Sequence, residues 1–211
     1  MKILGIDEAG RGCVIGPLCV AGVVISAEDL DRLSALGVRD SKKLSRHKRA
    51  LLAQQIEQLA HRVIVVEIGP SELDENLTEI ELQAMGQIIR ESQTDRVYLD
   101  LPVGPQARER FVHALREHAG THSFALVAEN RADATYPIVS AASIIAKVCR
   151  DRAIERLREE YGDFGWGYPS EPKTRAFLKK FYECNGRFPD CARAKWRTLQ
   201  RLTELSLDLE L

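Results

Sequence analysis

The sequence lacks the features of secreted, membrane-spanning and zinc-stabilised proteins. Its 211 residues contain five cysteines, an odd number with no C-x-x-C pair, so we expect neither a disulfide framework nor a structural zinc site. No signal-peptide pattern is present, and no apolar run approaches the roughly 20 residues of a membrane-spanning helix. We therefore expect a cytoplasmic protein with reduced thiols and no membrane partner.

Two common catalytic motifs are missing as well. The chain has no G-x-x-x-x-G-K-[ST] sequence, which disfavours a P-loop nucleotide triphosphatase. It has no nucleophile-elbow motif, and its five histidines show no metal-ligand spacing, which disfavours Ser-His-Asp hydrolysis and a histidine-based metal site.

Positive and negative charges balance over the whole chain, but positive charge is concentrated in one segment. Lys and Arg total 30 against 31 Asp and Glu, so the net charge says nothing about nucleic-acid binding. Residues 170–201, in contrast, contain nine Lys and Arg against three Asp and Glu. This basic segment either contacts a duplex through its phosphates or forms the solvated faces of two amphipathic helices.

The apolar runs alternate between strand and helix patterns, which predicts an α/β fold. Gly16-Pro17 leaves only a short connection, so the first two strands are expected to be antiparallel neighbours. The small residues at 140–143 should let their helix lie close to another backbone. Predicted strands cover residues 1–6, 18–25, 62–68, 96–100 and 123–128. Predicted helices cover 28–36, 46–60, a segment to 92 with a Thr78-x-x-Glu81 capping box, a segment around 111–115, 137–160, 172–185 and 192–205.

The first strand leads into the segment that we consider most informative, GIDEAGRG at residues 5–12. Asp7 and Glu8 can hold a hard cation, while the backbone and guanidinium of Gly10-Arg11-Gly12 can bind a phosphate. Metal and phosphate together indicate phosphoryl-transfer chemistry. The alternative is a surface turn with an incidental acidic pair.

Two further carboxylates follow predicted strands. Asp100 ends the fourth strand and Asp133 follows the fifth, so parallel strands would bring both to the edge that carries Asp7 and Glu8. Grouped carboxylates repel each other unless a cation such as Mg²⁺ or Mn²⁺ neutralises them. Adjacent strand residues point to opposite faces, so Asp7 and Glu8 can share a metal only if the chain bends there. Alternatively, Asp100 caps a turn and Asp133 caps the next helix.

Several long motifs together resemble the ribonuclease HII family. They are DEAGRG at residues 7–12, DSKKL at 40–44, ADA at 132–134 with SAASIIAKV at 140–148, and GYPSEPKT at 167–174. Their order and spacing match across nearly the whole chain, in a style closer to archaeal and eukaryotic members than to typical bacterial ones.

The resemblance implies a ribonuclease-H-like α/β fold with a mixed central sheet flanked by helices. It implies a catalytic domain at residues 1–160 and a helical, substrate-binding C-terminal part at 161–211 packed on it. It implies endonucleolytic cleavage of the RNA strand of RNA–DNA hybrids and incision at single ribonucleotides in duplex DNA, with a role in ribonucleotide excision. By the same resemblance, the catalytic and metal-binding residues are Asp7, Glu8, Asp100 and Asp133. The implied substrate contacts are Gly10, Arg11, Gly12, Lys42 and Tyr168.

We expect two cations about 3.5–4 Å apart, one activating water and the other stabilising the leaving 3′-oxygen. The products would carry 5′-phosphate and 3′-hydroxyl ends. The alternatives are a non-catalytic nucleic-acid-binding protein on the same fold, or a metal-dependent phosphatase or DNA nuclease. We expect a monomer, and residues 205–211 lack the aromatic pair of a sliding-clamp-binding peptide. Tyr168 has a second interpretation, as a core aromatic that anchors its loop.

Overall fold

A computed structural model describes residues 1–38, 44–73, 76–120 and 123–200. Its strands are β1 (Lys2–Ala9), β2 (Leu18–Ser26), β3 (Arg62–Ile68), β4 (Arg96–Asp100) and β5 (Ala125–Glu129). Its helices are α1 (Leu30–Ala35), α2 (Arg46–Leu59), α3 (Leu77–Ser92), α4 (Arg108–Ala119), α5 (Ala132–Thr135), α6 (Pro137–Tyr161) and α7 (Pro172–Asn185). Short 3-10 turns cover Ala27–Asp29, Pro70–Glu72 and Pro105–Ala107.

The strands form one mixed sheet in the order β3-β2-β1-β4-β5. β1 pairs with β2 in the antiparallel sense and with β4 in the parallel sense, and β4 pairs with β5 in the parallel sense. The predicted α/β fold and the antiparallel start of the sheet are therefore confirmed. Because β1, β4 and β5 are parallel, their carboxyl ends lie at one edge of the sheet.

The predicted elements differ most from the structure at β1, at the start of α3 and at residue 192. β1 continues to Ala9, because Asp7, Glu8 and Ala9 keep pairing with β2. The predicted capping box is wrong, because α3 begins at Leu77 and Thr78 is the second residue of the helix, not the residue before it. The predicted helix at 192–205 does not begin at Ala192, which forms an isolated bridge with Ile15.

The chain divides into two compact units. The first contains Met1–Ala9, Cys19–Val66 and Thr78–Cys149, and the second contains Gly10–Leu18, Glu67–Leu77 and Arg150–Leu211. The division at residue 160 stays a prediction. Within the described ranges, no helix is long and apolar enough to cross a membrane.

In the first unit, α6 lies directly against β1. A Cβ atom on Gly5 would collide with the backbone carbonyl of Ile138, so the absence of a side chain allows this approach. The small residues at 140–143 follow on the same helix and are fully buried, as predicted. On the other face of the sheet, Gly22 packs against Ile88 of α3.

In the second unit, a smaller core surrounds α7 and the preceding loop. Phe164 and Leu178 are fully buried there, together with Ile15 and Ile154. The ring of Phe177 lies 5.3 Å from that of Phe164 and 6.2 Å from that of Tyr161. The apolar face of α7 is thus used for packing, which leaves its polar face to solvent.

Candidate functional site

Asp7 is buried at the carboxyl end of β1, with 5% of its surface exposed. Side chains alternate along a strand, so Asp7 lies on the same face as Gly5, the face that α6 covers. Ser143 of α6 makes a side-chain hydrogen bond to Asp7. One turn further on, the Nζ atom of Lys147 donates to the Ser143 hydroxyl. The close packing of α6 on β1 therefore supplies both a hydrogen bond and a nearby positive charge to Asp7.

Asp100 and Asp133 reach the same edge through β4 and α5. The register pairs Ile6 with Leu99, so the next residues, Asp7 and Asp100, are neighbours, and their carboxylates interact electrostatically. Asp100 Oδ1 accepts a hydrogen bond from the Ala132 backbone N–H at 2.7 Å. Asp133 directly follows Ala132 in α5 and is buried. The structure thus makes Asp7 and Asp100 neighbours and places Asp133 next to the residue that binds Asp100, but among the described residues no three of the four predicted carboxylates bring their oxygen atoms within 4.8 Å of one another.

Glu8 is linked to this group through its backbone. Its N–H donates to Asp7 Oδ1 at 2.8 Å. The pairing of β1 with β2 is regular through Ala9, so the strand alternation starts the Glu8 side chain on the face opposite to Asp7. The expected bend between Asp7 and Glu8 is absent from this pairing, and the participation of the Glu8 carboxylate stays a prediction.

Burial raises the pKa of Asp7 from 3.8 to about 6. The Ser143 hydrogen bond opposes this rise, the negative charge of Asp100 adds to it, and Lys147 and the Glu8 N–H oppose it further. The ionised form of Asp7 is therefore poorly stabilised by the protein alone. Neighbouring carboxylates in such surroundings fit a hard divalent cation, which would favour their ionised forms.

We expect the stability of the metal-free protein to fall with rising pH because of Asp7. The unfolded chain loses the Asp7 proton near pH 3.8, whereas the folded chain keeps it to about pH 6. The protonated Asp7 therefore contributes fully to the free energy of unfolding below the pKa of the unfolded chain. This contribution is lost as the pH rises through the pKa of the folded protein, which lowers the free energy of unfolding by about 3 kcal/mol. Urea unfolding in the presence of a chelator, at about pH 4 and about pH 7, measures it.

Asp7→Asn is the control for this effect, because asparagine has no titrating group. The variant should lack this part of the pH dependence and should be more stable than the original protein at neutral pH without metal. An identical pH dependence in both proteins would contradict the role given to Asp7.

In the second unit, Gly10 and Gly12 differ in their surroundings. Gly10 has a φ of +95°, and a Cβ there would lie 2.6 Å from the Pro17 carbonyl oxygen and 2.8 Å from Arg150 Cδ, so this position requires glycine. Gly12 is exposed, and a Cβ there would meet nothing within 4 Å. The space beside Gly12 is therefore open to a ligand.

Tyr168 is 44% exposed, so it is not a core aromatic as the alternative interpretation held. Its hydroxyl donates to the buried Cys13 thiol, and its ring lies 5.1 Å from the Arg150 guanidinium carbon. The Arg150 guanidinium also donates to the Trp166 carbonyl at 2.6 Å. Anchored at its hydroxyl, the Tyr168 ring can present a surface for stacking.

The remaining predicted contacts are Lys42 and the basic segment. Lys42 lies outside the described residues. In the basic segment, Lys173 pairs with Asp163 and Lys179 with Glu183, and Arg193 is fully buried. The positive charge available to a ligand from residues 170–200 is therefore smaller than the residue count indicates.

Sequence reasoning gave no role to three residues that the structure puts beside the predicted sites. The sequence predicts Ser143 only as a small packing residue, whereas its hydroxyl contacts Asp7. Lys147, one helical turn later, offered a weak signal through its spacing. Arg193 is one of the nine basic residues of the 170–201 segment, and nothing in its local sequence indicates burial.

Comparison with known proteins gives one consistent result. The family model described as Ribonuclease HII matches residues 4–199. A Ribonuclease HII of Archaeoglobus fulgidus is 48% identical over 210 residues, which is 97% of this chain and 98% of the relative.

Two solved structures are similar over almost the full length. The ribonuclease H2 of Pyrococcus horikoshii OT3 has a TM-score of 0.89 and 38% identity, over 97% of this chain and 98% of that one. The PCNA:RNase HII complex from Archaeoglobus fulgidus has a TM-score of 0.83 and 47% identity, over 93% and 96%. The family resemblance and the ribonuclease-H-like fold are thereby confirmed.

Proposed function

The chain belongs to the ribonuclease HII family of metal-dependent endoribonucleases, and we propose on this premise that it cuts the RNA strand of RNA–DNA hybrids and incises duplex DNA at single ribonucleotides. The observation that supports this proposal best is the pair of neighbouring carboxylates, buried Asp7 and half-buried Asp100, at one edge of the sheet, with the buried Asp133 one residue after the Ala132 N–H that binds Asp100. A purely structural role would not require neighbouring carboxylates whose charges oppose each other.

We assign Asp7, Glu8, Asp100 and Asp133 to the binding of Mg²⁺ or Mn²⁺. Two bound cations would supply an activated water and stabilisation of the leaving 3′-oxygen, which gives 5′-phosphate and 3′-hydroxyl products. In this proposal, Ser143 orients the Asp7 carboxylate, and the Ala132 N–H orients that of Asp100. Lys147 contributes a positive charge that moderates the repulsion within the group.

The substrate contacts are proposed to come from the second unit. The 2′-hydroxyl is the group that separates ribose from deoxyribose, and backbone groups of Gly10, Arg11 and Gly12 can hydrogen-bond to it without obstruction by side chains. The Tyr168 ring would pack on the ribose or base pair beside the cleaved phosphate. Lys42 would contact a phosphate.

Duplex binding without sequence preference is assigned to the basic segment. Arg175 and Lys180 are exposed on α7, and they can bind phosphates without reading bases. An Archaeoglobus fulgidus relative was solved in complex with PCNA. Residues 205–211 lie outside the described ranges, so the absence of a clamp-binding peptide, like the monomeric state, stays a prediction.

One experiment separates this function from its rivals. Cleavage is measured on an all-DNA duplex, an RNA–DNA hybrid and a DNA duplex with one ribonucleotide, each with Mg²⁺ or Mn²⁺ and with a chelator. The proposal predicts metal-dependent cutting of the last two alone. Cutting of all-DNA duplex would indicate a DNA nuclease, and binding without any cutting would indicate a non-catalytic protein.

Tyr168→Ala is expected to lower kcat/KM at a single ribonucleotide by about tenfold, because stacking of one base on an aromatic ring contributes about 1–3 kcal/mol. The dissociation constant for all-DNA duplex should hardly change, since phosphate contacts dominate it. Tyr168→Phe is the matched control: it keeps the ring and removes only the hydroxyl that bonds to Cys13. Equal losses in cleavage and duplex binding for Tyr168→Ala would contradict a role in recognising the junction.

A further inference from the structure

Arg193 is a fully buried arginine whose guanidinium binds backbone carbonyls of the Gly10-to-Gly16 loop. Its Nη2 donates to the Gly10 carbonyl at 2.7 Å and its Nη1 to the Arg11 carbonyl at 3.2 Å. Nε and Nη2 both donate to the Gly16 carbonyl, at 3.2 and 3.1 Å. A desolvated guanidinium is stabilised by such charge-assisted bonds, so the loop and the arginine fix each other.

These contacts determine where the loop amides point. In a trans peptide the carbonyl and the N–H of the following residue point in opposite directions. The Gly10 and Arg11 carbonyls face the guanidinium of Arg193, and consequently the N–H groups of Arg11 and Gly12 face away from it. Those N–H groups belong to the segment to which ribose recognition is assigned above.

The same residue is connected to the loop that carries Tyr168. The Arg193 backbone N–H donates to the Val14 carbonyl at 2.9 Å, and the Val14 N–H donates to the Gly167 carbonyl at 2.8 Å. Gly167 directly precedes Tyr168. The two segments proposed to contact the substrate are thus held by one short chain of hydrogen bonds that includes Arg193.

Trp196 holds Arg193 from its other side. Its ring lies 4.7 Å from the guanidinium carbon, and its Nε1 donates to the Leu73 carbonyl at 2.8 Å. The guanidinium is therefore packed in one orientation, with its planar fork directed at the loop carbonyls. A lysine ammonium could not reproduce this, because it is a compact charge without a planar fork.

We propose that Arg193 is a positioning residue for ribose recognition: by binding the carbonyls of Gly10, Arg11 and Gly16, it holds the N–H groups of Arg11 and Gly12 ready for the 2′-hydroxyl. The proposal rests on the function proposed above. It gives Arg193 no direct contact with substrate and no part in phosphate binding, which separates it from the exposed cations of the basic segment.

The test compares Arg193→Lys with Arg110→Lys, an exposed arginine of α4. Misplaced amides should lower kcat/KM at a single ribonucleotide by about tenfold to a hundredfold in Arg193→Lys. The dissociation constant for all-DNA duplex and the stabilisation by Mn²⁺ should stay unchanged, and Arg110→Lys should match the original protein. A parallel loss of duplex binding would indicate a general structural role, and unchanged cleavage would overturn the proposal.

Two further observations distinguish a failure of the proposed function from a failure of the role assigned to Arg193. If the original protein cuts neither ribonucleotide substrate, the proposed function fails, whatever Arg193 does. If Arg193→Lys does not fold, NMR relaxation of the original protein decides: the Arg11 and Gly12 amides should be rigid without substrate, with order parameters near about 0.85, and values below about 0.6 would overturn the proposal. Their resonances should shift with a ribonucleotide-containing duplex and not with all-DNA duplex.

Discussion

Asp100→Asn is expected to reduce metal-dependent cleavage of an RNA–DNA hybrid by about a hundredfold to a thousandfold, a loss typical of removing a central electrostatic group. Asparagine keeps the oxygen that accepts the Ala132 N–H, so the start of α5 should be preserved. It removes the negative charge that faces Asp7, and with it one ligand for a divalent cation. The substitution therefore separates metal binding from structural support.

The measurement is a single-turnover cleavage assay together with a Mn²⁺ titration followed by thermal stabilisation. Asp31→Asn, at an exposed position of α1, changes the net charge equally and should leave cleavage unchanged. Near-normal cleavage by Asp100→Asn would show that the assignment of the metal site is wrong.

Gly12→Ala should fold normally and yet lose about a hundredfold in kcat/KM at a single ribonucleotide. Its Cβ meets no protein atom within 4 Å and its φ is not in the left-handed region, so the free protein should tolerate it. A methyl group there would occupy the space proposed for the ribose, and a displacement of about 1 Å is enough for such a loss.

Two other glycines make this prediction specific. Gly104→Ala also enters open space without positive φ, and it should change neither stability nor cleavage. Gly10→Ala would meet Pro17 and Arg150 at a φ of +95°, so it should unfold at a lower temperature than Gly12→Ala. If Gly12→Ala cleaves like the original protein, the ribose does not approach the backbone at this point.

The sequence predicted elements best where local pattern and tertiary pairing agree. The period of α6 and the short apolar run of β4 gave their bounds almost correctly. β1 was underestimated because Asp7 and Glu8 do not look like strand residues, whereas pairing with β2 carries the strand through Ala9. The error at Ala192 has a similar origin, since its contact with Ile15 comes from a distant part of the chain.

The candidate site shows the same limit. The proximity of Asp7 and Asp100 could be predicted because residues at the ends of parallel strands meet at one sheet edge, and the register and their electrostatic interaction agree with it. Arg193 could not be predicted in this way, because its partners are 177 to 183 residues away in the sequence. Its burial depends on carbonyl groups, which every residue has, and side-chain identity gives no hint of them.

The packing of Gly5 against Ile138 has a consequence for mutational surveys of this enzyme. Any side chain at position 5 would push α6 outward and would move the Ser143 hydroxyl with it, away from the Asp7 carboxylate. A saturation screen scored by nuclease activity would therefore rank Gly5 among the least replaceable residues, although it carries no functional group. In such a screen, the contact between α6 and β1 at Gly5 would be as intolerant to substitution as the carboxylates of the candidate site.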